Sequence, residues 1–296
     1  MRNHGWTRRQ FLGTSALGVA AAALAQESKP KEAWQIGCYT RPWAKFEYTV
    51  ALDAIAEAGF KYVGLMTTKS KNNLVLSMET SEEEALRIRE ACRARGLSVP
   101  SVYGGGIPVE VSLEAGIAGM RKLIDNTVAA GVANLMMGGI GEQSLHETYY
   151  KAIAECCDYA AEKGIVISVK PHGGTNSTGP QCRAIVDLVG HKNFGIWYDP
   201  GNIFYYSEGA LNPVDDAATV NGIVSGMSVK DYRQPKIVDL TPGTGMVDFP
   251  KVMERLKAGG FTSGPLIIEC LAPGEPAQLL EEAKKAKTFV EQLVGQ

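Results

Sequence analysis

From residue 35 to residue 293, short apolar or β-branched runs alternate with amphipathic stretches, and this alternation constrains the fold more than any other property of the chain. The strand runs are 35–39, 61–66, 98–103, 134–138, 165–170, 194–199, 226–230 and 266–270. Between and after them, apolar residues recur at helical spacing over 48–58, 82–94, 113–130, 146–162, 182–189, 214–223, 249–258 and 277–293. Gly59, Gly96, Gly131, Gly164 and Gly259 close several of these helices, since glycine takes the left-handed conformation at a helix end without a Cβ penalty. Eight such pairs fit one α/β architecture, a single (β/α)8 barrel. A doubly wound sheet also alternates, but it needs a glycine-rich phosphate loop after its first strand, and Gly37-Cys38-Tyr39-Thr40-Arg41 is not one.

The start of the chain follows a different pattern. Residues 1–25 hold Arg2, Arg8 and Arg9 and no acidic group, then an apolar run from Phe11 to Leu24 that ends on the small residues of Ala23-Leu24-Ala25. That is the three-part secretory pattern, and Thr7-Arg8-Arg9-Gln10-Phe11-Leu12 reads as a twin-arginine signal. The apolar run is shorter than the roughly 18–20 residues of a membrane span. We therefore expect a twin-arginine signal peptide over 1–25, a barrel over 26–296, export to the periplasm or beyond, and no stable membrane span after cleavage near Gln26.

Net charge over the whole chain is −2, and loss of the leader takes basic residues from 30 to 27 against 32 acidic ones. A mildly acidic domain lacks the basic face that a nucleic-acid partner requires. Six cysteines read as buried thiols, because a chain of this length can bury a core without disulfide staples. No feature specifies an oligomeric state.

In a barrel the chemistry lies at the C-terminal strand ends. There the chain carries Lys170 and His172 at and beyond the end of the fifth strand run, Asp199 and Asn202 at the sixth, Lys230 and Arg233 at the seventh, and Glu269 in the eighth. Branched apolar side chains fill most barrel interiors, so charge at these tips points to a concave site, with a purely structural ion-pair cluster as the alternative. His146 and His191 fall in or near helices, and Trp34 reads as packing.

The strings His172-Gly173-Gly174, Asp199-Pro200-Gly201-Asn202, Val229-Lys230-Asp231-Tyr232, Gly243-Thr244-Gly245-Met246-Val247-Asp248-Phe249 and Ile267-Ile268-Glu269 resemble the xylose isomerase-like TIM barrel superfamily, over about residues 35–293. This is the sugar phosphate isomerase/epimerase group that includes tagatose 3-epimerase and hydroxypyruvate isomerase. The resemblance implies a divalent metal held by Glu, Asp, His and Glu on strands five to eight. Asp199 and Glu269 match two of these ligands. The family's Glu-x-His-Gly is here Lys170-Pro171-His172-Gly173, and its His-Val-Lys-Asp is here Ser228-Val229-Lys230-Asp231.

Two expectations follow for the cofactor. Either Mn²⁺, Mg²⁺ or Zn²⁺ binds Asp199 and Glu269 with His172 as a further donor, or there is none and the Lys170 ammonium replaces the metal, since a fixed ammonium repels a cation at short range. The implied chemistry is proton abstraction next to a sugar carbonyl, with Lys170, His172, Asp199 and Glu269 as catalytic groups. Glu269 serves as base or relay while Lys170 and His172 hold the enolate, or a desolvated Lys170 takes the base role.

Tyr103, Asn202, Lys230 and Arg233 are candidates to hold substrate hydroxyls, with Tyr39, Trp43 and Tyr198 as stacking groups. Tyr205 and Tyr206 either rim the pocket or form an interface patch. The expected partner is a small sugar or a keto-glycoside. The alternatives are a 3-keto-glycoside lyase or hydratase using the same enolate, and a non-catalytic carbohydrate-binding barrel. The superfamily's three-zinc DNA-repair branch is excluded by the acidic charge, the few histidines and the leader.

Overall fold

Eight parallel strands pair in chain order and close on themselves, as the alternation requires. They are β1 (Trp34–Tyr39), β2 (Tyr62–Leu65), β3 (Ser98–Tyr103), β4 (Val132–Met137), β5 (Val166–Val169), β6 (Phe194–Tyr198), β7 (Val224–Val229) and β8 (Gly264–Ile268), with β8 pairing back to β1. The computed structural model describes residues 34–295, so the leader read over 1–25 lies outside the described residues. The outer layer consists of α1 (Tyr48–Glu57), α2 (Glu82–Arg93), α3 (Leu113–Ala129), α4 (His146–Ala154), α5 (Cys157–Glu162), α6 (Gly179–Val189), α7 (Pro200–Tyr206), α8 (Pro213–Ala217), α9 (Phe249–Ala258) and α10 (Pro276–Val294). No described helix is long and apolar enough to cross a membrane.

Three helical regions differ from the sequence reading. The stretch 146–162 is two helices, separated at Cys156, whose φ of −107° and ψ of −4° leave the α-helical range. α6 begins earlier than its apolar periodicity, at a capping box in which Thr178 and Gln181 exchange side-chain and backbone hydrogen bonds. α7 was not legible as a helix, because Asp199-Pro200-Gly201-Asn202 has turn composition. Its start is set by Asp199, whose Oδ1 accepts from Asn202 N at 2.9 Å.

Strand geometry explains what faces inward. Along β5 to β8, Ile167, Val169, Ile196, Tyr198, Met227, Val229, Leu266 and Ile268 belong to the apolar layer shared with the helices. Each fully buried aliphatic chain there contributes about 1.5–3 kcal/mol. The alternate residues Trp197 and Ile267 pack inside the barrel with Tyr39, Met66 and Met136, and Ser168 and Ser228 share that inward parity. One further period of two places Lys170, Asp199, Lys230 and Glu269 at the top of the interior, one from each of four consecutive strands. All six cysteines are buried and unpaired, as expected.

Candidate active site

The four strand-end residues form a closed ring of alternating charge. Lys170 Nζ lies 2.9 Å from Asp199 Oδ2 and also pairs with Glu269 Oε2. Lys230 Nζ lies 3.0 Å from Glu269 Oε1 and 3.9 Å from Asp199 Oδ2. All four residues are buried, Asp199 completely. Two ammonium groups against two carboxylates leave the ring neutral, the condition under which buried charge is tolerated. Ser228, where the family pattern has histidine, donates from Oγ to Glu269 Oε2 at 2.7 Å and accepts from Trp197 Nε1 at 3.2 Å.

Backbone and loop chemistry holds the ring in place. Asn202 accepts from Lys230 Nζ through Oδ1 at 2.8 Å and donates from Nδ2 to the Pro171 carbonyl at 2.6 Å, tying the β5 and β7 ends together. Asn202 is therefore a positioning group as well as a polar group near the site. Asp231 is buried and faces away from substrate chemistry. Its carboxylate accepts from the backbone N of Gly243, Gly245, Val247 and Tyr232 at 2.8–3.1 Å, which accounts for both the Lys-Asp-Tyr and the Gly-Thr-Gly-Met-Val strings. A Cβ on Gly245 would stand 2.3 Å from Asp231 Oδ1, so only glycine lets the loop close on the carboxylate.

Burial works to raise both site carboxylates. In Asp199 it prevails over Lys170 and Lys230 and the pKa lies above the usual range. In Glu269 the charges of Lys170, Lys230 and Arg41 outweigh it and hold the pKa well below that range. Glu269 is thus the carboxylate held ionised. Burial opposes the Lys230 ammonium, but Glu269 and Asp199 reverse this and raise its pKa.

His172 touches solvent yet lies deep among protein atoms, as a residue lining a concave mouth does; that depth and the Lys170 charge push its pKa down to about 4. Its imidazole is neutral at neutral pH. Tyr103 lies with its ring centroid 5.9 Å from that of His172, and burial next to Glu269 raises its phenol to about 12, so it remains a donor.

The other candidates separate. Arg233 is exposed and pairs through its backbone with Ile237, outside the ring. Tyr198 faces the helix layer and donates to the Pro213 carbonyl at 2.7 Å, because its parity on β6 is opposite to that of Asp199. Trp43 packs in the outer core, and Tyr39 lies inside the barrel with its hydroxyl 3.0 Å from Ser101 Oγ. Trp34 packs on Phe261, His146 on Tyr150, and His191 pairs with Asp158, consistent with structural roles. Sequence reasoning missed Arg41, which bonds Asp239 Oδ1 at 2.8 Å and Cys270 Sγ at 2.7 Å beside Glu269. Its position directly after the first strand was the available signal.

The donor set does not fit a divalent cation. Asp199 Oδ1 caps α7 and Oδ2 faces Lys170; Glu269 Oε1 faces Lys230 and Oε2 takes Lys170 and Ser228. Three of the four oxygens accept hydrogen bonds from protein donors, and the fourth, Asp199 Oδ2, has no hydrogen-bond partner but lies 2.9 Å from the Lys170 ammonium, so an ion entering there would lie against two ammonium groups. Among the described residues, no group of three or more His, Cys, Asp or Glu side chains is placed to hold a metal.

The family model described as Xylose isomerase-like TIM barrel matches residues 52–290. An inosose dehydratase of Geobacillus thermodenitrificans (strain NG80-2) is 27% identical over 156 residues, 47% of this chain and 51% of that protein. The chain therefore spans about half the length of that relative. An L-ribulose-5-phosphate 3-epimerase of Salmonella heidelberg (strain SL476) is 23% identical over 232 residues, 72% of this chain and 78% of that protein. Among solved structures, a D-psicose 3-epimerase in the presence of D-fructose superposes with a TM-score of 0.69 at 15% identity, over 88% of this chain and 100% of that one. A xylose isomerase domain protein from Planctomyces limnophilus gives 0.68 at 20% identity, over 88% and 97%. These superpositions show the fold.

Proposed function

The chain belongs to the xylose isomerase-like TIM barrel family, and on that premise we propose that it is a carbohydrate isomerase or epimerase that removes a proton from the carbon next to a sugar carbonyl. The observation that carries this reading is the ring of Lys170, Asp199, Lys230 and Glu269 at the C-terminal mouth of the barrel. Proton abstraction there needs a base that is free of its own proton and a donor for the developing enolate oxygen. Glu269 is held ionised and supplies the base, with Oε1 engaged by Lys230 alone. The Lys170 ammonium and the neutral His172 imidazole supply positive charge and a hydrogen-bond donor to the oxygen, with the Tyr103 phenol as a further donor. In an epimerisation the Lys170 ammonium gives a proton to the same carbon on its other face and regains one from Glu269, with which it is paired; in an isomerisation Glu269 passes its proton to the neighbouring carbon. No step is routed through a metal, because the carboxylates that would bind it are committed to lysines.

A second reading follows from the inosose dehydratase relative. With a leaving group on the carbon beyond the enolate, the same abstraction ends in elimination, and the substrate is a 3-keto-glycoside or a related keto ring. The leader read over 1–25 belongs to this proposal: an exported enzyme meets glycosides sooner than phosphorylated sugars. The test is incubation of the mature protein in D₂O with ketohexoses and with 3-keto-glucosides. Deuterium at the α-carbon with conserved connectivity supports the isomerase, and release of the C1 substituent supports the lyase. Absence of both from every substrate sinks the enzyme reading in favour of a carbohydrate-binding barrel.

A further inference from the structure

Four rings stand in series from the charged centre outward. Tyr103 and His172 have centroids 5.9 Å apart, His172 and Tyr206 6.0 Å, and Tyr206 and Tyr205 5.0 Å; Lys236 Nζ then sits 5.3 Å over the Tyr205 ring. The inner end is at the tip of β3, within the electrostatic reach of Glu269. The outer end is on α7, where Tyr205 and Tyr206 remain partly exposed. The backbone has been shaped to seat these rings. A Cβ on Gly173, whose φ is +92°, would stand 2.7 Å from the Tyr206 ring, and a Cβ on Gly138 would stand 2.4 Å from the Tyr103 hydroxyl.

A single sugar at the ring of charges has the inner pair, Tyr103 and His172, to pack on. It leaves the outer pair uncovered, although large apolar ring faces are the surfaces that gain most from being covered. We propose that Tyr206 and Tyr205 form an outer subsite for a second ring joined to the reacting sugar, so that the substrate is a glycoside with a cyclic aglycone, either an aryl group or another sugar. This rests on the placement of the reacting sugar proposed above. The second ring is uncharged: the cations whose charge reaches the wall are each already paired, Lys236 with Glu208 at 2.9 Å, Arg41 with Asp239 at 2.8 Å, Lys170 with Asp199 at 2.9 Å and Lys230 with Glu269 at 3.0 Å, and none is left over for a phosphate. The neutral state of His172 keeps the middle of the wall an aromatic surface.

The test is calorimetric titration of the mature protein with 3-keto-glucose and with its methyl and phenyl β-glycosides, in the wild type and in Tyr206→Ala, Tyr206→Phe and Tyr205→Ala. We expect the phenyl glycoside to bind roughly five- to tenfold more tightly than the methyl one, the size of one aromatic contact. Tyr206→Ala removes that preference while the methyl glycoside stays within about twofold, Tyr206→Phe retains it, and Tyr205→Ala reduces it. Equal affinity for the two glycosides in the wild type overturns the proposal, as does equal weakening of both by Tyr206→Ala. So does a change in sedimentation mass on Tyr206→Ala with phenyl binding intact, which would make the patch an interface between copies. Affinity and exchange are separate readouts: a phenyl preference without α-carbon exchange sinks the isomerase reading alone, and exchange without the preference sinks the outer subsite alone.

Discussion

Lys170→Met removes one cation from a ring in which every member is buried, and its cost follows from the distances. At 2.9 Å from Asp199 Oδ2, and with an effective dielectric constant near 20, the gross attraction is about 6 kcal/mol, much of it offset by desolvation of the two charges. What remains after loss of the lysine is a pair of buried carboxylates with Lys230 as their one shared ammonium and Arg41 and Ser228 supporting Glu269, and removing one partner of a buried pair costs about 3–5 kcal/mol. In a domain of this size each kcal/mol is about 2–4 °C, so the melting temperature should fall by roughly 6–20 °C.

The sign of the pH dependence is fixed too. In the wild type Glu269 has a depressed pKa, so its contribution is present above the unfolded carboxylate value and is lost as pH falls. Without Lys170 both folded pKa values rise, furthest at Asp199 where burial already prevails, so the stability lost relative to the wild type grows as pH rises through them. The gap between wild type and variant should therefore be small near pH 4 and largest near pH 8. Melts followed by circular dichroism across that range read it directly. A fall of less than about 2 °C at pH 8, or a gap that narrows with pH, refutes the reasoning. Adding Glu269→Gln to Lys170→Met should recover part of the loss, since the amide removes the uncompensated charge.

Four further outcomes can be checked. The acidic limb of kcat/KM should lie near pH 4, where His172 takes a proton, and His172→Gln should change it; a limb near 6.5 contradicts a neutral imidazole at the mouth of the site. Gly245→Ala, which drives a Cβ into Asp231, should cost about 2–4 kcal/mol in urea unfolding, whereas Gly106→Ala, with open space around it, should change little. Metal analysis of protein dialysed against chelator should give well under one equivalent, with α-carbon exchange unchanged, and one tightly held ion per chain would overturn the commitment of the carboxylates to lysine. Secreted protein should begin near Gln26, and replacing Arg8 and Arg9 by lysine should block its export, both read by N-terminal sequencing of the exported fraction.

The eight strands were legible because each one repeats a short apolar run, and the tips of β5 to β8 were legible because a period of two carries inward parity past the strand end to Lys170, Asp199, Lys230 and Glu269. What did not show was who pairs with whom. Lys170 meets Glu269 across 99 residues of sequence, and that contact depends on how β5 and β8 are placed around the closed barrel, which no local pattern encodes. The same reason hid Arg41, which reaches Glu269 only because β1 closes on β8. Lys230, read from its position as a holder of hydroxyls, is bound to Asn202 and Glu269 instead. Tyr198, read as a stacking group from its place at a strand end, faces the helix layer instead, because the alternation that points Asp199 inward sends its neighbour outward.

The lysine at 170 also bears on how such a centre can change its chemistry without losing its fold. Replacing a carboxylate by an ammonium shifts local charge by two units, the charge of one divalent ion. If the resemblance is taken at its word, with a glutamate at this strand end and a metal beside it, the lysine and the loss of the ion compensate each other, and the remaining carboxylates keep a cationic partner. A neutral substitute at 170 would leave Asp199 and Glu269 with Lys230 as the one ammonium between them, a buried excess of negative charge that is more costly than either state. Ser228 stands where the resemblance has an imidazole, and its small hydroxyl fits beneath the ring and donates to Glu269 Oε2. On the proposal that no ion binds, the two departures at Lys170 and Ser228 form one coupled change. They swap a positive centre that can polarise an oxygen but holds no proton for one that can both polarise it and donate to it.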